Sequence, residues 1–475
     1  MGPRRFNRTR DTLTAIVPVR SEPELLEARL ARIGDDIRGN PHIPFQRLET
    51  AHFLSWVLVP GPRDVHGTEG APRLVCEASF EGPRDVFLRE LHREAGDALR
   101  AQLYSHCEQA PGADADGFEA FFRAHSREAA FLYTAYPGLP AHQIDEDDRA
   151  HWYFHRLIVT GLESTRPGLA KSARGAEDVR ADQLVDLCHG FVAQALGGAA
   201  MRSRLPPGSR TRRESWRTRL GRSLPVRVLR TSPILPSVVV AALLLGQDVL
   251  SSAWEQCRAR LGHRAQPRRT PRLERLHARE DLQGQNHLTH YVALKPGLLR
   301  RPALRMVLWG WGRLAKLWFT QGHLGGIEGI HFARWLLIDG GRQAWPALRW
   351  PLLTRGRHSL LFFSNYDGSW ENYLGSFIDR GGIGLTTIWC NTQGFPKTRL
   401  RWTPSKKGLP FTLELGSDRA EAFKQWVREH QLPTLAWYSR HPDKSVANIR
   451  RNREIRSWAD VGSDPLKRRQ WLQLL

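Results

Sequence analysis

The sequence predicts an α+β fold made of two copies of one unit, and an internal duplication is the first observation behind that prediction. The segment HFLSWVL at residues 52–58 returns as HFARWLL at 331–337, and ASFEG at 78–82 returns as SNYDG at 364–368. The second observation is that both copies show the same succession of strand and helix patterns. Because the blocks keep their order and nearly keep their spacing, shared positions indicate what the unit needs.

Each copy is predicted to contain four strands and two helices in the order βαββαβ. The predicted elements of the first copy are a strand at 12–19, a helix that Ser21 caps, strands at 51–59 and 73–79, a helix at 84–95 and a strand at 99–105. Those of the second copy lie at 288–294, 303–319, 331–338, 359–364, 370–379 and 385–390. A further helix and a short strand follow each copy.

This element order is that of a ferredoxin-like unit. Because a lone sheet of this kind has exposed edges and an exposed face, two of them are expected to pack together. The pair resembles the dimeric α+β barrel superfamily, with both halves fused in one chain over roughly residues 10–150 and 285–458. The resemblance implies a pseudo-dimeric barrel that requires no second chain. The predicted domains are 1–158, a helical connector at 159–285, and 286–475.

The charge of the chain indicates an anionic partner. The formal net charge is +22, and residues 201–230 carry ten arginines against one acid. A membrane surface and nucleic acid are the two candidate partners. Five scattered cysteines without a C-x-x-C pair fit a reducing compartment, and the first residues lack the apolar segment of a signal peptide. We therefore expect a cytoplasmic protein, peripheral on the inner face of the membrane.

Two segments indicate membrane contact. The apolar run that starts at Pro233 is interrupted by Gln247 and Asp248, so it is shorter than the roughly 20 residues of a bilayer span. It fits either a monotopic membrane segment or a buried helix. The helix at 303–319 combines tryptophan with basic residues, which is typical of an interfacial anchor, although its tryptophans could instead pack inward. The predicted membrane contacts are Trp309, Trp311, Trp318, Arg305 and Arg313.

Two duplicated histidines are candidate functional residues. His52 and His331 each open a strand with the pattern H-F-x-x-W. A histidine at such a position can bind haem iron or transfer protons near neutral pH. The structural alternative is a hydrogen bond to a neighbouring backbone group.

The turn at Asp367 resembles the G-x-x-D-G motif of dye-decolourising peroxidases, which belong to the same superfamily. Ser364 stands where that motif has its first glycine. The resemblance implies haem as a cofactor, with Asp367 as the acid/base toward peroxide. It implies His331 and His52 as haem-binding residues, and Arg334 as a charge stabiliser. A helix cap explains an acidic residue at this turn equally well.

Three hypotheses for function follow from the sequence. The first is a haem-dependent, peroxidase-like oxidoreductase that acts on an apolar substrate at the membrane surface. The second is a non-catalytic barrel that binds an apolar small molecule or a partner. Nucleic-acid binding through residues 201–230 ranks last, because Trp216 is the one aromatic residue there for base stacking. The sequence contains no P-loop, Rossmann fingerprint, HExxH motif or G-x-S-x-G elbow.

Overall fold

The computed structural model describes residues 10–61, 69–172, 234–259, 272–295, 300–318, 324, 327–339, 358–401 and 412–458. Its strands are β1 Arg10–Pro18, β2 Ala51–Val59, β3 Arg73–Glu81, β4 Phe131–Thr134, β5 Gln285–Ala293, β6 Ile330–Ile338, β7 Ser359–Asp367, β8 Arg399–Arg401, β9 Thr412–Glu414, β10 Gln431–Leu432 and β11 Ala436–Ser439. Its helices are α1 Pro23–Asp35, α2 Arg84–Gln102, α3 Ala115–His125, α4 Ala141–Ser172, α5 Ile234–Ala259, α6 Arg272–His277, α7 Arg300–Trp318, α8 Trp370–Trp389, α9 Ala420–His430 and α10 Val446–Trp458.

The chain divides into two compact units. The first comprises Met1–Gly138 and Ser232–Val446, and it holds both copies of the duplicated blocks. The second comprises Leu139–Thr231 and Ala447–Leu475. Within the second unit, Arg456 of α10 pairs with the carboxylates of Glu146 and Asp147 on α4, at 3.0 Å each. Residues 173–233 of the predicted connector, including the arginine-rich stretch at 201–230, lie outside the described residues.

Two antiparallel sheets form the centre of the first unit, which confirms the α+β class. The strand order of the first sheet is β1-β3-β2-β11, and that of the second is β10-β5-β7-β6-β4. Neither sheet closes on itself into a barrel. Between them lies an apolar core to which both sheets contribute, with Val57 and Val75 from the first and Leu336, Leu361 and Phe363 from the second.

The two copies exchange their last strands. The strand β4, which follows the first copy, pairs with β6 of the second, and β11 from the end of the second copy pairs with β2 of the first. The exchange is symmetric in detail. The amide of Ala135 donates to the carbonyl of His331, and the amide of Arg440 donates to that of His52, both over 3.0 Å. Neither sheet is therefore complete without a strand from the other copy.

The predicted fourth strand of each copy is wrong. The structure has α2 continuing through Leu99 to Gln102, followed by a 3₁₀ turn at Tyr104–His106, and α8 continuing to Trp389. The reason is helical periodicity. The buried residues Leu91, Ala95 and Leu99 follow one another at intervals of four, so the apolar segment at 99–105 extends the buried face of α2.

Candidate functional site

Three side chains form a row of hydrogen bonds where the end of β4, from the first copy, meets β6 and β7 of the second. The hydroxyl of Tyr136 lies 2.7 Å from Nδ1 of His331, and Nε2 of His331 lies 2.7 Å from Oδ1 of Asp367. The other carboxylate oxygen of Asp367 accepts a hydrogen bond from the amide of Val446, also at 2.7 Å. The structure thus brings together two of the residues that the sequence singled out, His331 and Asp367.

Backbone irregularities position both residues. The pairing of β6 with β7 shifts between Ile330 and Phe332, so His331 is the extra residue of a β-bulge. The same shift occurs around His52 in β2. Bulges redirect a side chain out of the regular alternation of a strand. The duplicated H-F-x-x-W pattern therefore marks a bulge that both copies keep.

The turn that holds Asp367 depends on glycine at two positions. Gly368 has φ +74° and Gly329 has φ +85°, a region that side chains rarely adopt. The amide of Asp367 donates to the carbonyl of Gly329 over 2.7 Å. A Cβ atom on Gly329 would lie 3.3 Å from Cβ of Asp367, so glycine also allows the close approach of these two segments.

The row can fix where its protons lie. Because the carboxylate of Asp367 accepts a hydrogen bond from Nε2 of His331, Nδ1 is left to accept one from the hydroxyl of Tyr136. Its exposure limits what it can do. His331 has no exposed surface, Tyr136 is 6% exposed, and the side chain of Asp367 is 16% exposed. The row ties the end of β4 to β6 and β7, at the junction where the copies exchange strands.

Arg334 lies apart from this row, between the two sheets. Its guanidinium is 2.9 Å from Oε1 of Glu77, and both side chains are 1% exposed. Arg334 also donates to the carbonyl oxygens of Leu13 and Ala78, at 3.0 and 2.9 Å. These partners all belong to the first sheet, whereas Arg334 belongs to the second. The structure therefore gives Arg334 a role in joining the sheets.

Glu77 is ionised in this environment. Burial raises the pKa of its carboxyl group, but Arg334 and the imidazole of His287 outweigh burial and hold that pKa below its usual value. Nε2 of His287 lies 3.4 Å from the carboxylate, and the hydroxyl of Ser55 donates to it over 2.9 Å. Because the charge is buried and paired, removing one partner would leave the other uncompensated.

The residues present do not fit a haem group. An axial histidine binds iron through a ring nitrogen that is free of other bonds. Both ring nitrogens of His331 instead face hydrogen-bonding side chains. His52 is 2% exposed, and its ring lies 6.1 Å from that of Phe332 and 6.4 Å from that of Tyr136. Over the described part of the chain, no cluster of three or more His, Cys, Asp or Glu could hold a metal ion.

A second candidate site is an exposed surface on α5 and α7. The apolar face, as we call it, consists of Val238, Val239, Leu243 and Leu250 of α5 with Met306 and Trp309 of α7. The two helices touch, because the hydroxyl of Ser237 donates to the carbonyl of Met306 over 3.1 Å. Leu243 and Leu250 are 68% and 73% exposed, which is high for leucine.

The opposite side of α5 is anchored by polar contacts. Asp248 is 4% exposed, accepts from the amide of Thr398 over 2.8 Å and pairs with Lys295 at 3.2 Å. Asp248, which interrupts the apolar run in the sequence, is thus a structural anchor. It fixes which side of α5 faces outward.

The structure exposes some of the predicted membrane contacts and turns another inward. Trp309 is 38% exposed, and the guanidinium of Arg313 lies 5.2 Å from the centre of its ring. Arg305 is exposed as well. The indole of Trp311 instead donates to the hydroxyl of Thr387 over 3.0 Å and is half-buried, so Trp311 packs inward. The backbone of Trp318 ends α7, and its side chain lies outside the described part.

Every helix within the described ranges falls short of the length and apolarity needed to cross a bilayer. The chain matches no protein family, no curated protein and no solved structure.

Sequence reasoning missed Glu77 and Tyr136. A signal existed for Glu77, because a carboxylate within the predicted apolar strand 73–79 requires a buried partner. Tyr136 carried no comparable signal, since its partner His331 lies in the other copy and is reached only through the exchanged strand.

Proposed function

We propose that this protein is a non-catalytic, peripheral membrane protein that docks on anionic lipid through the apolar face. The observation that carries the proposal is the exposure of four aliphatic side chains on one helix, α5, while its opposite side is anchored by Asp248. Exposed apolar side chains gathered on one side of a helix mark a site of contact with a membrane or a partner. The protein would dock on the inner, cytoplasmic face of the membrane.

Charge favours lipid as the occupant. Arg305 and Arg313 flank Trp309 on α7, and tryptophan beside arginine suits the boundary between headgroups and acyl chains. In the sequence, the ten arginines of residues 201–230 directly precede α5. Each basic residue near an anionic membrane contributes about 1 kcal/mol of attraction. A protein partner would not require this excess of positive charge.

The fold proposal is that the two-sheet core is an open relative of the dimeric α+β barrel. Its support is the matching order of β1-β3-β2 and β5-β7-β6 and the reciprocal exchange of β4 and β11. Both halves come from one chain, so docking requires no oligomer.

Flotation with lipid vesicles tests the proposal. We expect the protein to float with vesicles of phosphatidylcholine and phosphatidylserine, and to bind pure phosphatidylcholine much more weakly. Added salt should reduce the difference, because it screens charges near the surface. Equal binding to both vesicles, or tighter binding to duplex DNA than to anionic vesicles at the same salt concentration, would refute it.

A further inference from the structure

A small cavity lies beneath the helices that cover the outer face of the second sheet. Its volume is about 20 Å³, and β5 and β7 form one side of it, with α8 and α9 opposite. Most of the lining is apolar or aromatic, including Phe362, Tyr373, Phe377, Trp389 and Trp426. The exception is His290 of β5, whose side chain is 1% exposed.

His290 is buried without a hydrogen bond. Among the described residues neither of its ring nitrogens has a partner. The nearest rings are those of Trp426 and Trp389, whose centres lie 4.6 and 4.8 Å from that of the imidazole. Burial, with a smaller contribution from His430, lowers the pKa of His290 well below its usual value, so the imidazole is neutral.

Because an unpaired buried polar group is destabilising, a partner for His290 would stabilise the fold. The cavity supplies the room, because one water needs only roughly 10–15 Å³. A neutral imidazole offers one donor and one acceptor to such a guest.

The first copy carries different residues at the positions that form this cavity. Arg10 pairs with Glu81 in the first sheet, and Gln285 pairs with Asp367 in the second. Because Glu81 and Asp367 are equivalent in the duplication, Ala15 of β1 is the counterpart of His290. The helix ends His125 and His430 make Phe122 the counterpart of Val427, which lines the cavity. The first copy thus has a methyl group where the second has an imidazole, and a phenyl ring where the second has valine.

We propose that this cavity is a binding site for one small neutral molecule whose hydroxyl group hydrogen-bonds to His290. Water and a short alcohol share this chemistry, and both are small molecules suited to a small cavity in which the ring nitrogens of His290 are the polar atoms that lack a partner. The site is independent of lipid docking, because His290 and the apolar face share no residue.

The proposal can be tested by NMR on the full chain with ¹⁵N-labelled histidine. We expect a nuclear Overhauser effect between the His290 ring and water, and a saturable shift of the His290 ring signals as methanol displaces that water. A contact with water that methanol leaves unchanged would identify water as the resident molecule. His331 is the matched control, since both of its ring nitrogens face side chains.

The variant Val427→Phe places the residue of the first copy at the cavity and should abolish both signals of His290. If this variant does not fold, the experiment on the unaltered chain still decides. A His290 ring without contact to water or methanol would overturn the proposal, and so would signals that persist in a folded Val427→Phe protein.

Discussion

Replacing two leucines of the apolar face should nearly abolish binding to anionic vesicles. Leu243 and Leu250 are 68% and 73% exposed, so each would transfer most of its side chain from water to the membrane. At roughly 2 kcal/mol for a fully buried leucine, the pair contributes about 3 kcal/mol to docking. Since 1.4 kcal/mol corresponds to a factor of ten, the double variant Leu243→Asp/Leu250→Asp should bind at least ~100-fold more weakly. The aspartates also repel the anionic lipid, which adds to the loss.

The matched control is Val86→Asp. Val86 is 48% exposed on α2, which covers the first sheet, whereas α7 packs with α5 beside the second. This control should bind vesicles as the unaltered protein does. Circular dichroism and thermal unfolding would verify that both variants fold, as expected for surface substitutions. The reasoning fails if a folded double variant keeps its affinity, or if Val86→Asp loses as much as the double variant.

Three further predictions concern the fold. Arg334→Met should lower the free energy of unfolding by about 3–5 kcal/mol, because it leaves the buried carboxylate of Glu77 without its cation. In urea titrations the exposed Arg93→Met should change little, and equal losses would contradict a special role for the buried pair. The lowered pKa of Glu77 means that its contribution to stability is complete above the ordinary pKa of glutamate and is lost as the pH falls toward the lowered value. Unfolding titrations across the acid range should therefore show a shallower pH dependence for Glu77→Gln, and identical slopes would refute this. Gly368→Ala and Gly82→Ala should each cost about 1–2 kcal/mol, because both glycines have positive φ and an added Cβ meets no other atom. A negligible thermal shift for either variant would show that the backbone relaxes there.

The sequence predicted those parts of the structure that depend on short, local patterns of residues. The strands around His52 and His331 were predicted because short apolar runs repeat between the copies. The strand predicted at 385–390 failed because an apolar run alone does not separate a strand from a buried helix end. The resemblance placed His331 and Asp367 in one site, and the structure brings them together because both lie at the same end of neighbouring strands.

What the sequence could not predict depends on contacts between the copies. Arg334 lies in the same strand as His331, but the bulge at His331 interrupts the alternation of side chains, so sequence spacing does not show which face of the sheet each residue takes. The partner of Arg334, Glu77, lies 257 positions earlier in the chain, and only the packing of the two sheets brings it close.

The buried ion pair explains why the two halves pair with each other. In the registers of the two sheets, Ser55 lies opposite Glu77, whereas Arg334 lies opposite Phe363. The acid is therefore present only in the first copy and its cation only in the second. Two first halves packed together would bury two carboxylates without an arginine, and two second halves would bury two guanidinium groups without an acid. Since an unpaired buried charge costs several kcal/mol, we infer that divergence at these positions favours pairing between unlike halves.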